Sequence, residues 1–371
     1  MSQSNKKRNL NGANVSFAYS LNKTIRGLVM RAMCLIRGRV KEVRTDLHRE
    51  RIERILLVRA TFRMGNSILA TPAIFLFRRN FPHARIDFVG PPVSKSLFKN
   101  LPIDHYFSIT RRFPNVLWAY FVLLNKIRYV CYDLAVDVSC SQSAMGSFIV
   151  GFSNARLRMG ARGKWDYWFN IPITRPADTN KYQVLPAFLG TTGMKTQKIF
   201  PLLTLTSEEK EEGRSRIETL IGGNQVPIVG VFVGGRHAKR KRWSIENFTQ
   251  LITALQAQEI KVIVFFGPEE KKLIRFFRQS LGKNIPLVFE PSAIAFASMV
   301  SNCSLFITCD SGPMHLACAL GVRTIAIFQN PDFNRWGPPA DMAQIVYEPG
   351  GVSDKAVLKI SLEELSCKAM L

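Results

Sequence analysis

Seven short apolar runs punctuate the chain: 54–59, 85–89, 133–137, 226–233, 260–266, 305–308 and 324–328. Each is rich in Val, Ile, Leu or Phe and bounded by Gly, Pro, Asp or basic residues. Such runs mark strands buried on both faces of a parallel sheet. Between them lie longer stretches with helical spacing. Residues 207–220 read as a charged helix, Ser244 caps a helix that runs to Leu255, and 292–301 read as a short helix. Residues 111–128 are helical in length, apolar nearly all round, and carry arginines at both ends. Packing against the sheet is the expected role, while an exposed face at Trp118 and Phe121 would suit a membrane interface. Strand and helix in alternation predict an α/β chain with parallel sheets.

Length adds a second unit. The 371 residues suffice for two domains, and Pro172, Pro176 and Pro186 place a boundary near 175–200. The expected division is 1–50 as a basic extension, 51–185 as a first domain, 200–345 as a second, and 346–371 as a tail helix. Residues 1–15 are polar and basic and read as disordered. They are not followed by an uninterrupted apolar stretch, as a signal peptide would be. From 16 to 42, Leu21, Ile25, Leu28, Val29, Ala32, Leu35, Ile36 and Val40 recur at helical spacing among Lys23, Arg26, Arg31, Arg37, Arg39 and Lys41. That run is too broken by charge to span a bilayer. It fits a basic amphipathic helix, lying either on an anionic membrane or on the protein's own body.

Charge sharpens the question of partners. The net charge is +24, with 29 Lys/Arg against 10 Asp/Glu in residues 1–180 and 22 against 17 in the remainder. The first half therefore faces something anionic: nucleic acid, phospholipid or a phosphorylated saccharide. No nucleic-acid-binding motif is present, so nucleic acid is not an expected partner. The seven cysteines are scattered without a CxxC pair, which reads as reduced thiols in a cytoplasmic protein. Neither they nor the five histidines fall at metal-ligand spacing, and no metal or other cofactor is expected.

The chemistry concentrates at Asp310-Ser311-Gly312-Pro313-Met314-His315-Leu316-Ala317-Cys318-Ala319, between two apolar runs. It reads as strand, tight turn and helix. Ser311 suits the N-cap, Pro313 the first turn, and Gly321 the stop. The free N–H groups and positive dipole end of such a helix can receive an anion, although an ordinary βαβ unit has the same outline. Gly234-Gly235 ends another run and leads into the basic loop Arg236 to Trp243, which is either a phosphate cradle or a solvated loop. Glu269 follows the 260–266 run. In the first half, Ala60 to Ile74 reads as strand end, glycine loop and helix, with Gly65-Asn66 in the loop. Arg156, Arg158, Arg162 and Lys164 gather near Gly160 and Gly163, where guanidinium forks could meet phosphate or carboxylate.

Asp-Ser-Gly-Pro-x-His-x-Ala-x-Ala resembles the nucleotide-sugar signature of the heptosyltransferases, glycosyltransferase family 9. Weaker similarities support it: Gly65-Asn66 before Thr71-Pro72-Ala73, and Lys241-x-Trp243 before a helix. The resemblance covers roughly residues 54–345. It implies a GT-B fold, two Rossmann-like domains facing across a cleft. It also implies transfer of a sugar, heptose from ADP-heptose above all, to an anionic lipopolysaccharide-core acceptor on the inner face of the inner membrane. Donor contacts would come from Gly234, Gly235, Lys241, Glu269, Asp310, Ser311, Gly312 and His315. Arg63, Arg162 and Lys164 would face the acceptor. The tail helix would cross back to the first domain. Many members have Asp where this chain has Asn66, and that Asp is proposed to deprotonate the acceptor hydroxyl. An amide can orient a hydroxyl but cannot take its proton. Asp137, at a strand end, is then the expected base, ahead of Asp133 and Asp104, unless it only caps its loop. Other readings remain: a different nucleotide sugar, a catalytically weak saccharide-binding relative, or a basic membrane-associated scaffold.

Overall fold

In a computed structural model of the chain, residues 33, 38–109, 116–176, 180–196, 199–223, 227–235 and 241–369 are described. Two six-stranded sheets form, and every strand pairing in them is parallel. The first holds β1 (Arg54–Val58), β2 (Arg85–Gly90), β3 (His105–Ser108), β4 (Leu134–Asp137), β5 (Leu157–Ala161) and β6 (Ile171–Ile173), in the order β3-β2-β1-β4-β5-β6. The second holds β7 (Ile228–Phe232), β8 (Lys261–Phe266), β9 (Leu287–Phe289), β10 (Leu305–Cys309), β11 (Thr324–Phe328) and β12 (Ala343–Tyr347), in the order β12-β11-β10-β7-β8-β9. Counted within its own sheet, each follows the doubly wound 3-2-1-4-5-6 order. Winding reverses between β1 and β4 and again between β7 and β10. Crevices at the carboxyl ends of such strand pairs are where this architecture binds ligands.

Burial follows strand position. β4, β10 and β11 are buried along their whole length, as helices on both faces require, whereas β3 and β9 at the sheet edges are half-exposed. The helix Val116–Val130 turns Leu123, Leu124 and Ile127 inward. Trp118, Phe121 and Tyr129 remain 66%, 54% and 90% exposed, with the Trp118 and Phe121 rings stacked at 5.4 Å. One apolar cluster joins both sheets, from Ile55, Ile68 and Phe77 to Phe265, Phe306 and Leu316. Polar contacts pin the same joint. Leu203 N–H donates to Ala319 O at 2.8 Å, Leu202 N–H to Thr71 Oγ1 at 3.1 Å, and Lys99 pairs with Glu209 at 2.6 Å.

Several expectations change. Gly65 and Asn66 lie within a short helix, Met64–Ile68, rather than in a loop, and a second helix, Thr71–Asn80, follows. The tail helix, Asp354–Ala369, packs on the second domain rather than crossing to the first. Its Val357, Leu358 and Leu365 share a core with Phe248 and Leu251 of the helix Ile245–Ala257, and Glu364 pairs with Arg323. The amphipathic stretch 16–42 lies outside the described residues except for Met33 and 38–42. Residues 38–50 run along the first domain: Val40 and Val43 N–H groups donate to Tyr167 and Asn170 carbonyls, and Arg39 pairs with Asp166.

Candidate active site

The helix Gly312–Ala319 starts where β10 ends. Ser311 occupies its N-cap with extended backbone, yet its side chain caps nothing. Its Oγ lies 3.1 Å from Thr308 Oγ1 instead, so the Ser311 side chain does not take up a first-turn N–H group. A helix start of this kind presents N–H groups and the positive end of its dipole to the crevice. The helix is buried from Met314 to Ala319, and Gly321 follows it at φ +76°, the left-handed turn that ends many helices.

Lys241 is buried against this turn. Its ammonium pairs with Asp310 and, at 3.0 Å, with Asp332 in the loop after β11. An ammonium has three N–H donors, and these two carboxylates are its partners among the described residues. Trp243 anchors the same segment: it is buried against Phe248, and its Nε1 donates to Val352 O at 2.7 Å. The basic residues 236–240 lie outside the described residues. Gly234 and Gly235 close β7, and Gly235 N–H donates to the Glu270 carboxylate. Burial first, and the Glu269 charge second, raise the Glu270 pKa. Glu269 itself is exposed. The buried carboxylate beside the glycine pair is thus one position later than the expected one.

His315 joins the halves of the site. Its Nδ1 lies 2.6 Å from the Tyr182 hydroxyl, in the segment that leads from the first sheet to the second. Burial, reinforced by the Lys241 charge, pushes its pKa down to about 3, so the imidazole is neutral at physiological pH. Gly65 of the first domain lies against it. A Cβ placed on Gly65 would come within 2.8 Å of His315 Cδ2 and 3.1 Å of Gly312 Cα. Only a residue without a side chain permits that approach. The carboxyl ends of β1 and β10 therefore meet through Gly65, Gly312 and His315.

Beside them is a cavity of about 20 Å³ lined by Arg59, Asn66, Ser139, Lys181 and Trp336, among others. Arg59 Nε donates to Asn66 O at 3.0 Å. Asp137 lies beneath, 1% exposed, and is not part of the lining. Its Oδ1 accepts from Ser139 N–H at 3.0 Å, and its Oδ2 has no hydrogen-bond partner. Burial lifts its pKa to about 6, against the opposing effects of Ser139 and Arg59.

The remaining expected contacts scatter. Arg63 is the exposed N-cap of the helix Met64–Ile68. Arg162 makes a bidentate pair with Glu42, at 3.0 and 2.8 Å, and Lys164 lies over the Trp165 ring at 5.0 Å. Sequence reasoning did not single out Glu270, Asp332, Tyr182, Lys181 or Arg59. Arg59 and Asp332 follow β1 and β11, so the rule for strand ends could have found them. Tyr182 and Lys181 had no such signal, because only tertiary contact brings their segment to the site. Among the described residues, no three His, Cys, Asp or Glu side chains gather as a metal site. No helix among them is long and apolar enough to cross a membrane.

Comparison with known proteins agrees with this geometry. The profile described as "Glycosyltransferase family 9 (heptosyltransferase)" matches residues 121–361. The lipooligosaccharide heptosyltransferase 2 of Campylobacter jejuni subsp. jejuni serotype O:2 is 26% identical over 285 residues, 74% of this chain and 81% of that protein. A glycosyl transferase family 9 structure from Veillonella parvula superposes with a TM-score of 0.76 at 17% identity, covering 84% of this chain and 97% of that one. Escherichia coli ADP-heptose lps heptosyltransferase II gives 0.71 at 17% identity, covering 85% and 99%. At these identities the structural matches establish the fold: two Rossmann-like domains in the GT-B arrangement.

Proposed function

Because the chain belongs to glycosyltransferase family 9, the heptosyltransferases, we propose that it transfers heptose from ADP-heptose to an anionic, lipid-linked acceptor of lipopolysaccharide-core type. One observation carries the reading: the uncapped helix start at Gly312 and Lys241, on the second domain, meets Gly65-Asn66 of the first through His315. A diphosphate at the first and a hydroxyl at the second would stand close enough to react.

In this reading the donor diphosphate takes the first-turn N–H groups of Gly312–Ala319 and a Lys241 N–H. Both stabilise the charge that grows on the leaving diphosphate. We assign the Tyr182 O–H as donor to His315 Nδ1. The imidazole then keeps its proton on Nε2, which donates toward the same charge. Gly234, Gly235 and Ser311 border the nucleotide, and Glu269 or the buried Glu270 receives ribose hydroxyls. On the acceptor side, Asn66 orients the hydroxyl by hydrogen bonding. Asp137 takes the proton, its lifted pKa suiting a base near neutral pH. Ser139, whose N–H donates to Asp137 Oδ1, lines the same cavity as Asn66. Arg63, Arg162 and Lys164 provide a basic approach for the rest of the acceptor. The exposed Trp118, Phe121 and Tyr129 face, on so basic a chain, fits peripheral attachment to an anionic membrane on its cytoplasmic side.

Incubating the protein with a lipid-linked core acceptor and a panel of nucleotide sugars tests this, with product mass as the readout. A heptose-sized gain from ADP-heptose alone is expected. Transfer of a hexose from a uridine donor would sink the donor assignment.

A further inference from the structure

The cavity beside Asn66 has an unusual electrostatic character. Arg59 and Lys181 both line it, and neither forms a salt bridge with a described carboxylate. Asp137 attracts Arg59 from a distance, but burial still lowers the Arg59 pKa. The Lys181 ammonium lies 5.8 Å from the Trp336 ring centre, and the Lys181 backbone N–H donates to Arg335 O at 2.9 Å. Burial, then the charges of Arg175, Arg335 and Arg59, push its pKa down to about 8. Of the other titratable groups nearby, the Cys140 thiol is held at about 12 and stays neutral, while Asp137, lifted to about 6, ionises below the pH at which Lys181 titrates.

Cations brought together in a partly desolvated place cost stability unless an anion joins them. The cavity of about 20 Å³ holds roughly one water-sized group. An oxygen of a carboxylate or phosphate fits, with the sugar that bears it outside in the cleft. Its lining comes from the ends of β1 and β4 and from the segment at Lys181, with Trp336 as the second domain's part. The diphosphate groups assigned above, Lys241 and the helix start at Gly312, are not among the lining residues.

We propose that Arg59 and Lys181 form an anion site for the acceptor, gripping a carboxylate or phosphate on its sugar so that the neighbouring hydroxyl stands at Asn66. This rests on the glycosyl-transfer reading, and it gives that site a substrate class: acceptors whose anionic group adjoins the reacting hydroxyl.

Binding can be tested without turnover, using sulfate as the probe because its charge is constant from pH 6 to 9. The proteins are the full chain, Lys181→Met and Lys181→Arg. Removing a buried cation should leave the melting temperature equal or higher. Sulfate should stabilise the full chain, and its apparent affinity should fall about tenfold or more in Lys181→Met. In the wild type that affinity should decline as pH rises through about 8, where Lys181 loses its proton. In Lys181→Arg it should persist. Stabilisation by ADP should be the same in all three. Equal sulfate binding with and without the lysine overturns the proposal. Loss of ADP stabilisation in Lys181→Met overturns it too, by assigning the cations to the donor. With the core acceptor, the proposal requires a higher acceptor KM and an unchanged donor KM in Lys181→Met. If no nucleotide sugar supports transfer, the reading of the function fails while the sulfate result still decides the site.

Discussion

Replacing Gly65 by Ala adds one methyl group where two domains touch. Helix propensity alone favours it: Gly65 lies in the helix Met64–Ile68, and Ala is better than Gly in a helix by roughly 0.8–1.0 kcal/mol. The tertiary contact opposes it. The new Cβ would lie 2.8 Å from His315 Cδ2 and 3.1 Å from Gly312 Cα. Gly312 presents backbone, and the imidazole is tied to Tyr182 at 2.6 Å, so neither can yield freely. Overpacking of this kind costs about 1–3 kcal/mol. The net effect on stability is then between roughly zero and a loss of about 2 kcal/mol. The effect on activity should be larger, because relief comes from spreading the joint. A displacement of about 1 Å at reacting groups can cost about 100-fold in rate. The assay is kcat and donor KM for Gly65→Ala beside its thermal unfolding curve. We expect a fall in kcat/KM of about 100-fold with a nearly unchanged melting temperature. Wild-type kinetics together with a raised melting temperature would show that propensity wins and that the domains do not need this contact.

Lys241→Ala should weaken donor binding by about 1.5–3 kcal/mol, the worth of a charge-assisted bond, and should destabilise the protein by removing the ammonium that pairs with the buried Asp310. Adding Asp310→Asn should recover stability, read by denaturant unfolding, but not donor affinity. Asp137→Asn should lower kcat by about 100- to 10,000-fold if Asp137 is the base. Its stability effect is set by pH. The folded-state pKa is raised from 3.8 to about 6, so the wild type bears no penalty below pH 3.8 and a growing one as pH rises through about 6. The variant should therefore be more stable by about 3 kcal/mol at pH 8 and by almost nothing at pH 4, and a gap independent of pH would contradict this. Tyr182→Phe frees His315 Nδ1, and donor kcat should fall about tenfold or more with little change in acceptor KM. An equal rise in both KM values would mean the tyrosine only packs. Asn66→Asp should be tolerated or activating, and a dead but folded variant would rule out a base at that position.

What the sequence determined was the interior. β1, β4, β7, β8, β10 and β11 are readable because strands covered on both faces must be apolar along their length, and that leaves continuous runs of Val, Ile, Leu and Phe. The turn after β10 was readable from Gly312 and Pro313 at the helix start and the small and apolar residues that follow, although the Ser311 side chain makes no cap. The edge strands β3, β6, β9 and β12 were not, since β6 has only three residues and β3, β9 and β12 are four, three and five residues only partly buried, none long enough to leave such a run. Tertiary structure alone decided the rest of the site. Tyr182 meets His315 from 133 residues away, Lys241 meets Asp310 from 69, and Gly65 faces Gly312 across two domains. It also decided that Arg162 is held by Glu42 and that Glu270, not Glu269, is buried beside Gly235. Local pattern records how deeply a residue is buried, because burial selects residue type one position at a time. Which partner a buried charge or glycine meets depends on how the two sheets are set against each other, and no local run of residues carries that information.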